Sequence, residues 1–203
     1  MKSDGPVLLL IVITFISLLS GIANGEQCCY DWELGNNHPQ QKFCEADFVA
    51  LGYIMNKEVE RSKVIYTVHV YQVYKGAISW SSTVEIKALS GYCDPNLQDD
   101  VYVITASGHP TDLSTSRCKW NEKWSSVTST QLEGLKSLYK KYCDNCEILE
   151  SLIIFPVPPD VKPKRCAYYP DSKCEKLHSV CEYHQHAGCR WSSNTNFLTC
   201  LQE

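Results

Sequence analysis

Two adjacent cysteines, Cys28 and Cys29 in "GEQCCYDW", follow closely on a long apolar run, and His178, Cys181, His184 and His186 cluster in "HSVCEYHQH" near the other end. Imidazoles and thiolates at such spacing can ligate a metal, provided that the cysteine is free. The redox compartment decides whether it is. Lys2 precedes an apolar stretch of 13 residues, Val7 to Leu19, and Ala23 and Gly25 place small residues three before and one before a cut. This is the pattern of a secretory signal peptide over residues 1–25. The apolar core is short for a bilayer span, which needs about 20 residues, so no membrane span is expected. All twelve cysteines lie after the cut, and an even count in an oxidising compartment reads as six bridges if every cysteine pairs internally. Cys181 is then expected in a bridge and the surrounding histidines in an exposed polar loop.

Other chemistry finds little support. The chain has no H-E-x-x-H, no G-x-S-x-G and no glycine-rich phosphate loop, so an enzyme is not expected, nor a cofactor. Asp99 and Asp100 stand at a strand entry and read as turn residues. The net charge of −4 is slight and no basic tract is present, which argues against a nucleic-acid partner. Tyr66, Val68, Val70 and Val73 do not fall on one clean face, so a stacking platform is not expected either. No N-x-Ser/Thr acceptor occurs.

The elements that must position the cysteines are mostly strands. "VIYTVHVYQVYKG" (Val64 to Gly76) alternates β-branched and aromatic residues with polar ones, and "STVEIKAL" (Ser82 to Leu89) does likewise. "DVYVITASG" (Asp100 to Gly108) and "ADFVALGYIM" (Ala46 to Met55) add two more, with a short strand expected between Ser114 and Lys119. Short strands separated by turn residues indicate a small sandwich or closed barrel, and Gly52 inside a run indicates a bulge or sharp bend. From Thr128 the period changes. Leu132, Leu135, Leu138, Tyr139 and Tyr142 predict one helix of about three turns, with Ser129 or Thr130 as N-cap and Glu133 as the capping-box partner of Thr130. Four prolines between Phe155 and Lys164 then break any helix, and five cysteines follow between Cys166 and the end. The reading is a signal peptide over 1–25, a barrel domain over 26–143, and a disulfide-rich subdomain with little regular structure over 144–203.

"HPQQKFCEADFV" (His38 to Val49) resembles the tissue inhibitors of metalloproteinases, which carry an N-terminal C-x-C, then HPQ, a cysteine and an Ala-Asp leading into the first strand. "YQVYKG" (Tyr71 to Gly76), Cys93 of "SGYC", the pair Cys118 and Trp124, and the helix ending at Cys143 extend the likeness from Cys28 to Cys146 in order. "GCRW" (Gly188 to Trp191) is similar to a later segment. The resemblance implies a mainly β fold with flanking helices: a five-stranded OB-like (netrin-like) barrel followed by a small disulfide-rich C-terminal subdomain. It implies bridges from Cys28 and Cys29 to Cys93 and Cys118, in either pairing, and from Cys44 to Cys143. The three remaining bridges are left unassigned.

The resemblance also implies a function: a secreted, extracellular inhibitor that occupies the active-site cleft of secreted or cell-surface zinc metalloproteinases. In the family the first residue is a cysteine whose α-amine and carbonyl oxygen chelate the catalytic zinc. Here that residue is Cys28, with Cys29 at the pocket position and Ser90, Gly91, Tyr92 and Cys93 lining the same cleft. This chain departs from the pattern at three points, one of them "YDWELGNN" (Tyr30 to Asn37), which is a few residues longer than the family's segment before HPQ. The favoured cut after Gly25 leaves Glu26 and Gln27 ahead of Cys28, whereas a cut after Gln27 would free its amine. The two cysteines are also adjacent rather than separated by one residue. These departures motivate the alternative, a non-inhibitory netrin-like module associated with the extracellular matrix.

Overall fold

The computed structural model describes residues 38–150, 164–168 and 172–202. The signal segment, Cys28, Cys29 and the proline-rich run lie outside the described residues. The order is α1 (Pro39–Glu45), β1 (Phe48–Glu60), β2 (Lys63–Lys75), β3 (Thr83–Leu89), β4 (Val101–His109), β5 (Asp112–Ser114) and β6 (Asn121–Lys123). A helical run follows, made of α2 (Ser129–Glu133), a π-type segment (Gly134–Leu138) and α3 (Tyr139–Tyr142). The remainder is β7 (Glu147–Glu150), β8 (Arg165–Tyr168), α4 (Lys173–His178), β9 (Cys181–His184), β10 (Gly188–Trp191) and α5 (Thr195–Cys200).

Strands β1, β2, β3, β5 and β4 pair in that order, and β1 pairs back to β4, closing a five-stranded barrel with β6 added outside β4. The inward side chains make an apolar core of Phe48, Ala50, Ile54, Val64, Tyr66, Val68, Val70, Ile86, Tyr102, Ile104 and Leu113 with their neighbours. Contrary to the expectation from spacing, Tyr66, Val68, Val70 and Val73 share this face. The pairing skips Tyr71 between Gly52 and Leu51, so the extra residue shifts the phase by one, turning Tyr71 and Gln72 outward together and Val73 inward. Gly52 sits beside that bulge, where a Cβ would lie 2.5 Å from a Val68 methyl and 3.2 Å from the His69 carbonyl.

A second core fills the space between the barrel's outer face and the helices. It joins Phe43, Ala46, Val49, Val103, Trp120, Leu135, Tyr139 and Tyr142 to Val180 of the C-terminal unit. The Cys44–Cys143 disulfide ties α1 to the end of the helical run, as the resemblance implied.

Four expectations need correction. Strand β1 runs on to Glu60, because it forms a long hairpin with β2 that reverses at Arg61 (φ 44°) and Ser62. The short strand expected over Ser114 to Lys119 is instead two, β5 and β6, flanking a turn in which the Thr115 hydroxyl donates to the Thr105 carbonyl. The N-cap of α2 is Thr128, and its capping-box partner is Gln131, not Glu133. The Thr128 hydroxyl also donates to the Leu177 carbonyl, which fixes the helix start against the C-terminal unit. Finally, that unit has more regular structure than expected. β7 and β8 pair in parallel, β9 and β10 pair antiparallel, and Cys146–Cys189, Cys166–Cys181 and Cys174–Cys200 crosslink them and the two short helices.

Candidate functional site

The segment that sequence reasoning places in the cleft, Ser90 to Cys93, leaves the end of β3 as an exposed ridge. Ser90 is anchored to the β1–β2 turn: its N–H donates to the Ser62 carbonyl at 3.0 Å. Gly91 then takes φ +77°, a left-handed conformation that a glycine adopts without strain, and opens a single 3₁₀ turn over Gly91–Cys93. The Tyr92 side chain stands out at 47% exposure. Cys93 and Cys118 are both disulfide-bonded, and no free cysteine occurs among the described residues. Their expected partners, Cys28 and Cys29, lie outside those residues.

What holds the ridge was not visible in the sequence. Asp94 directly follows Cys93, and its carboxylate accepts from Lys57 Nζ at 2.8 Å, from the Tyr66 hydroxyl, and from the Asn96 N–H at 2.9 Å. Burial raises the Asp94 pKa, but these three donors outweigh it and hold the carboxyl below the usual range. Tyr66 is fully buried in the barrel, and burial and then the Asp94 carboxylate push its phenol well above the ordinary value. Its oxygen also accepts from the Leu97 N–H. The ridge is therefore anchored to the core through one phenol and to β1 through one ion pair.

Arg117, next to Cys118, clamps the ridge from the other side. Its backbone N–H donates to the Cys93 carbonyl at 3.0 Å, and its guanidinium donates to the Tyr92 carbonyl at 3.2 Å. The same guanidinium lies 4.4 Å from the Tyr92 ring centre. The two cysteine-bearing loops are thus joined by three contacts of one residue. Chemically, this surface offers no nucleophile–base pair among the described residues; it is an exposed turn held by an ion pair, hydrogen bonds and a guanidinium over an aromatic ring. Among the described residues no group of three or more potential metal ligands converges, and Cys181, the thiol of the histidine cluster, is bridged to Cys166.

The residues of the HPQQ motif do a different job. His38 is fully buried, accepting at Nδ1 from the Gln40 N–H, which leaves Nε2–H to donate to the Glu175 carbonyl at 2.9 Å. The Gln40 amide clamps Cys181, donating to its carbonyl at 3.0 Å and accepting from its N–H at 2.8 Å. The motif therefore docks the C-terminal unit rather than lining the ridge.

A family model described as tissue inhibitor of metalloproteinase matches residues 28–191. The chain belongs to that family. It is 28% identical to metalloproteinase inhibitor 3 of Gallus gallus over 119 residues, 55% of this chain and 56% of that protein. That match stops short of two thirds of the chicken protein's length. The chain is also 25% identical to metalloproteinase inhibitor 3 of Scyliorhinus torazame over 170 residues, covering 76% of this chain and 78% of that protein. With the tissue inhibitor of metalloproteinase of Drosophila melanogaster it shares 24% identity over 179 residues, 81% of this chain and 83% of that protein. The family match ends at Trp191, so the Cys174–Cys200 bridge, which ties α5 back to α4, reaches beyond it.

Proposed function

We propose that this protein is a secreted inhibitor of zinc metalloproteinases, with Ser90 to Cys93 entering the protease cleft beside an N-terminal Cys28 whose α-amine and carbonyl oxygen bind the catalytic zinc. The observation that carries the reading is the ridge itself, an exposed turn pinned by Asp94 and Arg117 and bounded by two bridged cysteines, in a chain whose family match begins at Cys28. A catalytic zinc keeps one exchangeable position for water, so a five-membered chelate there removes the nucleophile. A ridge already fixed before binding loses little conformational entropy on docking. Of the described helices none is long and apolar enough to cross a membrane.

The N-terminal residue of the secreted protein, read by mass spectrometry, and inhibition of a metalloproteinase on a fluorogenic peptide together test this. A chain beginning at Cys28 should inhibit, and carbamylating its α-amine, with an ordinary pKa of about 8, should abolish inhibition without unfolding it. A chain beginning at Glu26 has an amide at that nitrogen, with no lone pair for zinc, and should inhibit only after Glu26 and Gln27 are removed. Absence of inhibition from a protein proven to begin at Cys28 would refute the chelating role and favour the non-inhibitory matrix module, for which the adjacent cysteines argue.

A further inference from the structure

Among the cations around the ridge, Lys57 is neutralised by Asp94 and Lys87 by Asp112, while Arg61 and Lys63 beside Ser90 have no ion pair among the described residues and no aromatic platform. Arg117 is different. Its side chain is exposed, it pairs with no carboxylate among the described residues, and its guanidinium is held by the Tyr92 ring and carbonyl instead. An aromatic face and a carbonyl orient a guanidinium without cancelling its charge, and among the described residues the other donors of the fork have no hydrogen-bond partner. A flexible surface arginine loses rotamer freedom when it binds; this one is already fixed.

We propose that Arg117 is a specificity-determining residue of the ridge, a preset cation that favours metalloproteinases carrying a carboxylate on the rim of the active-site cleft and disfavours those with a basic rim. The inference rests on the inhibitory reading above and deepens it by naming the partner's chemistry. Tyr92 supplies the platform and Arg117 the charge. Because a rim charge acts chiefly on the encounter, its effect should fall mainly on the association rate and weaken with salt.

The test uses the full-length secreted protein and its Arg117→Lys, Arg117→Gln and Arg117→Glu variants against two catalytic domains, one with an acidic and one with a basic cleft rim. Unchanged thermal unfolding confirms that each variant is folded. Arg117→Gln should slow association with the acidic-rim protease about 3- to 10-fold at low salt, and Arg117→Glu more, with the difference shrinking as salt is raised. Arg117→Glu should leave the basic-rim protease unaffected or bound faster. Arg117→Lys, which keeps the charge without the planar fork, should retain the preference. Equal losses against both proteases would show that Arg117 only braces the loop, and no change against either would show that it is outside the contact; both overturn the proposal. A wild-type protein that inhibits neither protease overturns the inhibitory reading instead, which separates the two failures.

Discussion

Lowering the pH from 7 to 5 should weaken the native state by about 2 kcal/mol through His38 alone. The ring is fully buried among Tyr139, Tyr168 and Trp191, with centroids 6.4, 5.8 and 4.8 Å away. Burial, reinforced by the nearby Lys176 charge, lowers its pKa from 6.5 to about 4, against two backbone hydrogen bonds that raise it. A proton on Nδ1 would also face the Gln40 N–H, donor against donor. The sign follows from which state binds the proton: between pH 6.5 and 4 the unfolded chain takes it up and the folded one does not. Stability is therefore full above pH 6.5 and lost as pH falls, by about 2 kcal/mol at pH 5 and about 3 at pH 4. Glu122, raised by burial, works in the opposite direction. Asp94, Asp100 and Asp112 are held below the usual carboxylate range by their lysine partners, against burial, and stay ionised in the fold at pH 5.

A comparison with His38→Asn isolates the effect, since asparagine keeps an N-cap acceptor for α1 and does not titrate. Guanidinium unfolding with disulfides intact, followed by tryptophan fluorescence, gives the stability of both proteins at pH 7 and 5. Their difference should narrow by about 2 kcal/mol on acidification. A pH-independent difference, or a His38 NMR resonance titrating near 6.5 in the native protein, would refute the reasoning.

Gly134→Ala should destabilise by about 1–3 kcal/mol although alanine is the better helix former by about 1, because its Cβ would collide with the buried Tyr139 ring; a raised thermal midpoint would contradict this. Replacing both Cys44 and Cys143 by serine opens a link across 99 residues of sequence, for which chain entropy gives a loss of about 4–5 kcal/mol, measurable as a shift in the denaturant midpoint. A chain ending at Cys143 should fold cooperatively, since the barrel core is built wholly from residues before it. It should nevertheless unfold at lower denaturant than the full protein, because His38, Gln40, Thr128 and Gln131 lose their partners; equal midpoints would show that the seam contributes nothing.

The barrel was legible because a half-buried strand writes its burial into the sequence with period two, and β2 and β3 follow that rule over most of their length, whereas β4, buried on both faces from Tyr102 to Ala106, reads as a continuous run. It failed where the backbone departs from regular pairing. The bulge at Tyr71 shifts the phase by one residue, so Val73 looked misplaced when read along an ideal strand. At the helix start Thr128, Ser129 and Thr130 are all cap formers; the local capping box with Gln131 selects Thr128, and its contact with Leu177 reinforces that choice. The ridge residues were named through family likeness, not through any pattern of their own. The residues that hold them, Lys57, Asp94 and Arg117, are charged groups in exposed or half-exposed stretches, and their pairings join positions as far apart as Lys57 and Asp94 in sequence.

The docking of the C-terminal unit was the least legible feature, and its chemistry explains why. Apolar contact supplies much of the attraction, with Val180 inserted among Phe43, Tyr139 and their neighbours. Such contact is non-directional and leaves the angle of docking loosely defined. The angle is set by polar groups that each have one satisfactory partner: Gln40 with both backbone groups of Cys181, His38 with Glu175, and Gln131 with Lys176. All of those partners are backbone atoms, so no side-chain pattern in the C-terminal sequence announces them. The specificity of the seam therefore resides almost entirely in residues 38–40 and 128–131 of the barrel half. Substitution of the docked segment's exposed side chains should be tolerated there far better than substitution of Gln40, which would leave a buried N–H and a buried carbonyl unpaired together.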